Sequence, residues 1–296
     1  MLKGIKLRTL ALSVVGCFLA SSVWAAKTEI VMGFNPAENV EVVESNGKAL
    51  SEYFQKKTGL KVKTFIATDY TALIEALRSG QIDFAWLPPF SYVKAEEIAG
   101  GEVLLKAVRK GRSVFYSAIF TRIDRPYKTI EDLKGKNIAW VDPTSASGHI
   151  FPKANLMVKK KIDADKFFNK QIFAGGHDAV VLAVLNNTVD AGATFVNDPE
   201  GKEGAWSQLF KGDEKNKVKT LFVTDPIPGD SMATSKKFRE ANPDIVKKTT
   251  ELIQSMSKDE EGKKILYALY RIDSMIPAKS SDYDPLRKAA KLLNIN

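Results

Sequence analysis

A run of small hydroxyl residues lies between an apolar segment and a helical one: Asp142-Pro143-Thr144-Ser145-Ala146-Ser147-Gly148-His149. The first amides of a helix have no intrahelical acceptors and carry positive partial charge, which suits an oxyanion. Ser145 and Ser147 would add hydroxyl donors, while Ala146 and Gly148 leave space beside them. The alternative is that Ser and Thr only cap the helix. The run therefore predicts either a site for a phosphoryl or sulfonyl group or an ordinary helix cap.

Three further junctions carry polar side chains that could face a ligand. They are Thr68-Asp69-Tyr70, Gly175-Gly176-His177-Asp178 and Pro228-Gly229-Asp230-Ser231. Tyr70 offers a phenol, His177 a ring N–H and Asp230 a carboxylate. A surface aromatic and a satisfied core histidine are the ordinary alternatives for Tyr70 and His177.

Catalytic and metal sites find less support in the sequence. Ser145, His177 and Asp230 could compose a hydrolytic triad, but the chain has no Gly-x-Ser-x-Gly elbow. The only histidines are His149 and His177, and no metal-ligand spacing surrounds them. No Walker or dinucleotide glycine motif is present, so we expect no metal and no cofactor.

The elements that must position these residues alternate between short apolar runs and helical patterns, which predicts an α/β fold with largely parallel strands. One block recurs: Tyr70 to Asp83 and His177 to Asp190 match in kind along a helix, a turn and an aspartate-led strand. The echo predicts two lobes of similar construction, although chance similarity between two helix–turn–strand units would also produce it.

The start of the chain resembles a secretory signal. Lys3, Lys6 and Arg8 precede an apolar stretch, and small residues follow it, so we expect cleavage after Ala25. The alternative is a lipoprotein start at Cys17, the only cysteine, although its match to a lipobox is loose. The mature chain would contain no cysteine for a disulfide or a thiol nucleophile.

Length and charge narrow the function further. About 270 mature residues exceed what one core usually holds, so two lobes are expected. Without residues 1–25 the chain has 41 basic groups against 35 acidic ones. They are scattered, with the densest run only Lys159-Lys160-Lys161, which is typical of solvated helix faces rather than of a nucleic-acid surface.

Several of these segments, taken in order, resemble a known family: Thr68-Asp69-Tyr70, Asp83-Phe84-Ala85-Trp86, Asp142 to Gly148, Gly176-His177-Asp178 and Ile227-Pro228-Gly229-Asp230. The resemblance is to the periplasmic phosphonate-binding proteins, which deliver phosphonate, phosphite or phosphate to ABC importers. It covers Thr28 to Ala233, and the carboxy-terminal helices are less diagnostic.

The resemblance implies a two-lobed periplasmic-binding-protein fold of the type II kind, with the ligand between the lobes. The segments expected are 1–25 as signal, 26–113 as the first lobe, 114–222 as the second, and 223–296 returning to the first. The implied ligand contacts are Tyr70, Tyr116, Ser145, Ala146, Ser147, His177, Asn197 and Asp230. Phe115 is an alternative to Tyr116, because the family places an aromatic contact at this pair. Asp230 would accept a hydrogen from the ligand, either an amine N–H or a P–OH.

Two departures from the family pattern bear on the ligand. Members that bind aminoethylphosphonate carry an acid shortly after the second aspartate-led strand, where this chain has Asn197 followed by Asp198. Ala146 also replaces a hydroxyl residue found in some members. Both favour phosphite, phosphate or a small alkylphosphonate, unless a shift of one residue brings Asp198 into the site.

The sequence thus predicts an exported, monomeric solute-binding protein without a chemical step. Its partners would be a small phosphorus oxyanion and the permease subunits of an ABC importer, with no nucleic acid. The alternatives are an exported hydrolase that uses Ser145 and His177, and a sensor that serves a membrane receptor.

Overall fold

The structure, a computed structural model, describes residues 27–35, 40–210 and 212–295. The signal segment, the expected cleavage after Ala25 and Cys17 lie outside the described residues. The strands are β1 Glu29–Phe34, β2 Lys61–Ile66, β3 Phe84–Leu87, β4 Gly101–Val108, β5 Val114–Arg122, β6 Ile138–Trp140, β7 Gln171–Phe173, β8 Ala191–Val196, β9 Val218–Val223, β10 Ile227–Pro228, β11 Ser231–Ser235 and β12 Ser274–Pro277. The α-helices are α1 Val40–Thr58, α2 Tyr70–Ser79, α3 Pro89–Ala99, α4 Phe151–Asn155, α5 Ala164–Phe167, α6 His177–Leu185, α7 Ala205–Leu209, α8 Lys236–Ala241, α9 Pro243–Ser255, α10 Glu260–Tyr270 and α11 Asp284–Leu292.

Two sheets divide these strands and give the chain its two lobes. The first sheet has the order β12-β4-β11-β3-β1-β2, and the second has the order β10-β5-β8-β6-β7 with β9 also paired to β5. The chain leaves the first sheet after β4 and returns between β10 and β11, so two segments connect the lobes. Because β10 pairs with β5, the second sheet reaches Pro228, beyond residue 222 where we expected the return.

Each lobe packs its own aromatic core. In the first lobe the rings of Phe34 and Trp86 stack with centroids 6.1 Å apart. In the second, the rings of Phe120 and Trp206 meet at 4.9 Å. Full burial of one such side chain contributes about 1.5–3 kcal/mol, so each sheet has an independent source of stability.

The repeated block corresponds to equivalent units in the two lobes. Asp83 accepts a hydrogen bond from the amide of Val31 at 2.8 Å, and Asp190 accepts one from the amide of Asn137 at 3.0 Å. Each aspartate therefore ties the beginning of its own strand to the beginning of the neighbouring parallel strand. The echo in the sequence reflects this shared construction.

Helix α3 begins inside a Pro88-Pro89 pair that directly follows strand β3. Pro89 is the first residue of the helix, and Gly100, with a φ of 58°, closes it. Proline suits this position because the first turn needs no amide donor there. Within the described residues, no helix combines the length and apolarity needed to cross a membrane.

Candidate functional site

A cavity of about 60 Å³ lies between the two lobes. It is lined by Asn35, Tyr70, Pro88, Pro89, Arg109, Phe115, Ser145, Ala146, Ser147, His177, Phe195, Asn197, Gln208, Asp230, Tyr270 and Arg271. Many of these residues follow the carboxyl end of a parallel strand, as Asn35 follows β1 and Asn197 follows β8. In open α/β sheets this edge is where ligands bind. Loops from both lobes therefore line this one small cavity.

The hydroxyl-rich run contributes Ser145, Ala146 and Ser147 to the wall of this cavity. Ser145 caps a wide helical turn over Ala146–Ile150, and its Oγ accepts from the amide of Gly148 at 3.0 Å. That contact leaves the Ser145 hydroxyl hydrogen for another acceptor. The carbonyl of Ser147 accepts from the buried hydroxyl of Ser117 at 2.5 Å. Ser145 can therefore cap the helix and still donate a hydrogen bond to an oxyanion, so the two interpretations of the run are compatible.

His149, one of the two histidines of the chain, holds this loop in place. His149 Nδ1 lies 2.9 Å from the carbonyl of Pro143, and since a carbonyl only accepts, Nδ1 carries the hydrogen. Its ring stands edge-on to Phe173, with centroids 4.9 Å apart. Burial lowers the pKa of His149 to about 4, so the ring is neutral at physiological pH. His149 thus supports the loop and does not line the cavity.

His177 lies at the first residue of α6 and lines the cavity. Its Nδ1 is 2.7 Å from the hydroxyl of the buried Thr194. Burial lowers the pKa of His177 to about 3, which keeps the imidazole neutral. When Thr194 donates to Nδ1, the hydrogen is on Nε2 and remains for a ligand.

The lobes touch beside the hydroxyl-rich run. The buried carboxylate of Asp142 accepts from the amide of Thr144 at 2.7 Å and also from the amide of Tyr70 in the opposite lobe. Burial raises the pKa of Asp142 above its ordinary value, and the bonds from Thr144 and Tyr70 oppose that rise. Nearby, the hydroxyls of Ser91 and Thr144 lie 3.4 Å apart. These contacts fix Tyr70, itself buried, against the second lobe.

Asp230 lies in the return segment, and its carboxylate is held by an arginine. Asp230 Oδ2 accepts from Arg109 Nη2 at 2.6 Å, and Arg109 Nε donates to the carbonyl of Tyr270 at 2.9 Å. Asp230 is thus not bonded to His177, whose Nδ1 contacts Thr194. The Ser145–His177–Asp230 relay that a hydrolase would need is not assembled.

Seven of the eight residues expected at the site line the cavity, and Tyr116 does not. Successive side chains of a strand point to opposite faces. In β5 this alternation directs Phe115 to the cavity and Tyr116 against the core of the second lobe. Phe115 is thus the member of the pair that lies at the cleft.

The choice between Asn197 and Asp198 is also decided by local bonding. Asn197 lines the cavity. The carboxylate of Asp198 accepts from the amides of Lys202 at 3.0 Å and Glu203 at 2.7 Å, so it closes its own turn. No acid therefore occupies the position after β8 in the cavity wall.

Sequence reasoning missed the basic lining residues Arg109 and Arg271. Arg109 belongs to the turn Arg109-Lys110-Gly111-Arg112, whose basic character was visible but looked like solvated surface. Its position between β4 and β5, where the chain changes lobes, was the available signal. Gln208 and Asn35 carry no motif and could not have been found in this way.

The comparisons with known proteins agree with this geometry. The sequence model of the family described as "ABC transporter, phosphonate, periplasmic substrate-binding protein" matches residues 32–283. The phosphate-import protein PhnD of Mycolicibacterium smegmatis is 30% identical over 276 residues, which cover 87% of this chain and 84% of that protein. The phosphonates-binding periplasmic protein of Escherichia coli is 28% identical over 220 residues, covering 73% of this chain and 62% of that protein.

A solved structure shares the fold. PhnD1 of Prochlorococcus marinus, solved in complex with methylphosphonate, superposes with a TM-score of 0.79. It is 20% identical and covers 91% of this chain and 100% of that one. At this identity the likeness establishes the two-lobed architecture.

Proposed function

We propose that this chain, which belongs to the family of periplasmic phosphonate-binding proteins of ABC transporters, captures a small phosphorus oxyanion between its lobes. The observation that carries the proposal is the convergence of Ser145, Ser147 and His177 on one cavity. All three offer neutral hydrogen-bond donors, and the helical turn at Ala146 adds amides directed at the same volume.

The size of the cavity favours a compact ligand. One water needs at least roughly 10–15 Å³ and occupies about 30 Å³ in the liquid, so about 60 Å³ has room for only a few water molecules. Phosphite, phosphate and methylphosphonate are of this size, whereas alkylphosphonates with chains longer than ethyl would need the lobes to stand further apart. We therefore place the physiological ligand among these compact anions.

Neutral donors suit a carrier that must release what it binds. A neutral His177 and two serine hydroxyls hold an anion through hydrogen bonds without a full charge of their own. Hydrogen bonds to charged groups contribute about 1.5–3 kcal/mol each, which permits tight yet reversible capture. The residues proposed as ligand contacts are Tyr70, Phe115, Ser145, Ala146, Ser147, His177, Asn197 and Asp230.

The rival function, hydrolysis through Ser145 and His177, is disfavoured by the bonding of the acid. In a triad the carboxylate orients the histidine. Here the Asp230 carboxylate bonds Arg109, and His177 Nδ1 bonds Thr194. Turnover of a phosphate monoester that is lost in Ser145→Ala would favour the hydrolase, whereas a stoichiometric complex without turnover supports the carrier.

The remaining parts of the proposal concern the cell. We propose export through the amino-terminal segment, action as a periplasmic monomer, and delivery of the ligand to the permease subunits of an importer. We propose no nucleic-acid partner, because the excess positive charge of the sequence is small and scattered. Neighbouring permease and ATPase genes would separate transport from a sensing role.

A thermal-shift screen of the protein from residue 27 onward tests the ligand class. Phosphite, phosphate and methylphosphonate are compared with sulfate and taurine. A ligand at 100 times its dissociation constant should add about 2.7 kcal/mol to the free energy of unfolding. A rise in the melting temperature with a sulfonate, and none with the phosphorus anions, would contradict the proposal.

A further inference from the structure

We infer that Arg109 is a specificity-determining residue that disfavours ligands with an ammonium tail, because it compensates the charge of the Asp230 carboxylate. The inference rests on the proposed function and narrows its ligand class to phosphorus oxyanions without a cationic group. An aspartate in a cleft would otherwise be the natural partner of an amine.

The Arg109–Asp230 pair is close and largely shielded from water. Nη2 and Oδ2 are 2.6 Å apart, and the side chains are 17% and 30% exposed, respectively. Arg109 is also anchored through Nε to the carbonyl of Tyr270 at 2.9 Å. A guanidinium keeps its charge at all physiological pH, so the carboxylate stays compensated. Arg109 bonds Oδ2, so an ammonium group that approached Oδ1 would meet a carboxylate whose charge is already compensated.

The pair joins the two segments that connect the lobes. Arg109 follows β4, and Asp230 precedes β11. Between these segments the amide of Ala107 donates to the carbonyl of Asp230 at 2.8 Å, and the amide of Gly229 donates to the carbonyl of Ser113 at 2.9 Å. Because backbone bonds hold both segments side by side, the pair does not depend on the contacts made when the lobes meet.

The rest of the described cavity wall gives an ammonium no second carboxylate. Among the described residues that line the cavity, Asp230 carries the only carboxylate, while Arg109 and Arg271 are both cationic. His177 is neutral, and Asp198 is turned into its own loop. A cationic tail would therefore find no uncompensated carboxylate in the wall, whereas an alkyl or hydroxyl group needs none.

A matched pair of ligands isolates the charge of the tail. Aminomethylphosphonate and ethylphosphonate have the same shape and differ by an ammonium in place of a methyl. Calorimetry should find that the wild-type protein prefers ethylphosphonate by about tenfold or more. Arg109→Met should lower this ratio by about tenfold, because it leaves Asp230 available to the ammonium. Adding Asp230→Asn to Arg109→Met should restore the preference for ethylphosphonate.

Arg112→Met is the matched control. Arg112 is exposed in the same turn and borders an outer groove without lining the cavity. In Arg112→Met, the ratio of the affinities for ethylphosphonate and aminomethylphosphonate should equal that of the wild type. An Arg109→Met ratio that stays at the wild-type value, with methylphosphonate still bound, overturns the inference and leaves the proposed function standing. A wild-type protein that binds neither phosphite nor methylphosphonate counts against the proposed function, and the inference falls with it.

Asp230→Asn alone tests the inference without removing the arginine, in case Arg109→Met does not fold. Because the carboxylate is already engaged by Arg109, the amide should change the affinities for both ligands together and keep their ratio. A selective loss of aminomethylphosphonate binding in Asp230→Asn would show that the carboxylate is available to the ammonium, and would overturn the inference.

Discussion

His177 shows how a single residue becomes a neutral donor at physiological pH. Desolvation disfavours the imidazolium, and the ring lies at the start of α6, facing the cavity. Thr194 fixes one nitrogen and leaves the other for the ligand. The side chain therefore contributes an oriented hydrogen-bond donor and no charge. The same holds for Ser145, whose oxygen is already used by the amide of Gly148.

Replacing His177 by alanine should weaken binding of methylphosphonate about tenfold or more, because a buried bond to an anion is lost. His177→Gln, which keeps an N–H donor, should recover part of that loss. Since burial lowers the pKa to about 3, the ring does not change charge near neutrality. The pH profiles of affinity for wild type and His177→Gln should run parallel between about pH 5 and 7.5. A calorimetric step near pH 6.5 in the wild type alone would contradict this.

At the scale of the element, the wide turn over Ala146–Ile150 sets the anion site. Such turns open the helix by one residue and are frequent at functional sites. Here the turn is pressed against β6: the amide of Val141 donates to the carbonyl of Gly148 at 3.1 Å. Only glycine, which has no side chain, fits at position 148. The turn thus owes its shape to close backbone approach as well as to the serine cap.

Gly148→Ala should damage both stability and binding. An added Cβ would lie 2.3 Å from Cγ2 of Val141 and 2.8 Å from Oγ of Ser145, so the turn must shift. Overpacking of this kind costs about 1–3 kcal/mol, measurable by urea unfolding. Calorimetry should find weaker binding of methylphosphonate, since Ser145 moves with the turn.

Gly100→Ala is the control for this change. Its Cβ would meet nothing within 4 Å, and its cost of about 1–2 kcal/mol comes from left-handed backbone alone. Gly100 does not line the cavity, so affinity should be kept. If Gly148→Ala kept its affinity for methylphosphonate, the turn would tolerate the added Cβ and the predicted loss of binding would be wrong.

At the scale of the whole molecule, polar contacts between described residues link the lobes across the cleft. Tyr70 and Asp142 form one, and Ser91 and Thr144 another. A binding protein of this kind closes on its ligand by rotation about the connecting segments. Since a ligand stabilises the arrangement to which it binds best, these contacts should form more often when the cavity is filled.

A disulfide across the cleft can report on this closure. In Ser91→Cys/Thr144→Cys, the replaced hydroxyls lie 3.4 Å apart, within reach of a disulfide. In protein produced from residue 27 onward, no other cysteine is present. With diamide added as the two-electron oxidant, methylphosphonate should accelerate conversion of the two thiols to the disulfide. A gel shift follows this bond, which neither single variant can form within one chain. Equal rates with and without methylphosphonate would contradict ligand-driven closure.

Much of the secondary structure could be predicted because its signals are local. Asp69 is a residue type that favours helix caps, and its carboxylate accepts from the amide of Ala72 at 2.7 Å. Gly80 is the residue type that commonly ends helices, and its φ of 77° is the left-handed conformation that glycine permits. The bounds of β1 and β2 likewise follow from short apolar runs. Signals of this kind depend on neighbours in sequence, so the sequence is sufficient to find them.

The short strands late in the chain could not be predicted in the same way. Ser274–Pro277 lies in a stretch that was expected to be mostly helical, yet it pairs with β4 as the outer strand of the first sheet. Its few residues carry no alternation long enough to recognise. Proline is tolerated there because an outer strand does not need every amide.

The sequence by itself determined which loops could bind an anion, because hydroxyls, glycines and helix starts have the same chemistry in any fold. It also determined that two similar units exist, through the aspartates that tie each strand to its neighbour. Only the tertiary structure decided which side chains reach the cavity. Arg109 and Asp230 are 121 positions apart, and their pairing depends on two segments lying side by side. The same is true of Phe115 and Asn197, since the sequence could not distinguish either from the residue that follows it. Packing decides which face of β5 meets the cavity, and the bonds of Asp198 decide which residue after β8 does.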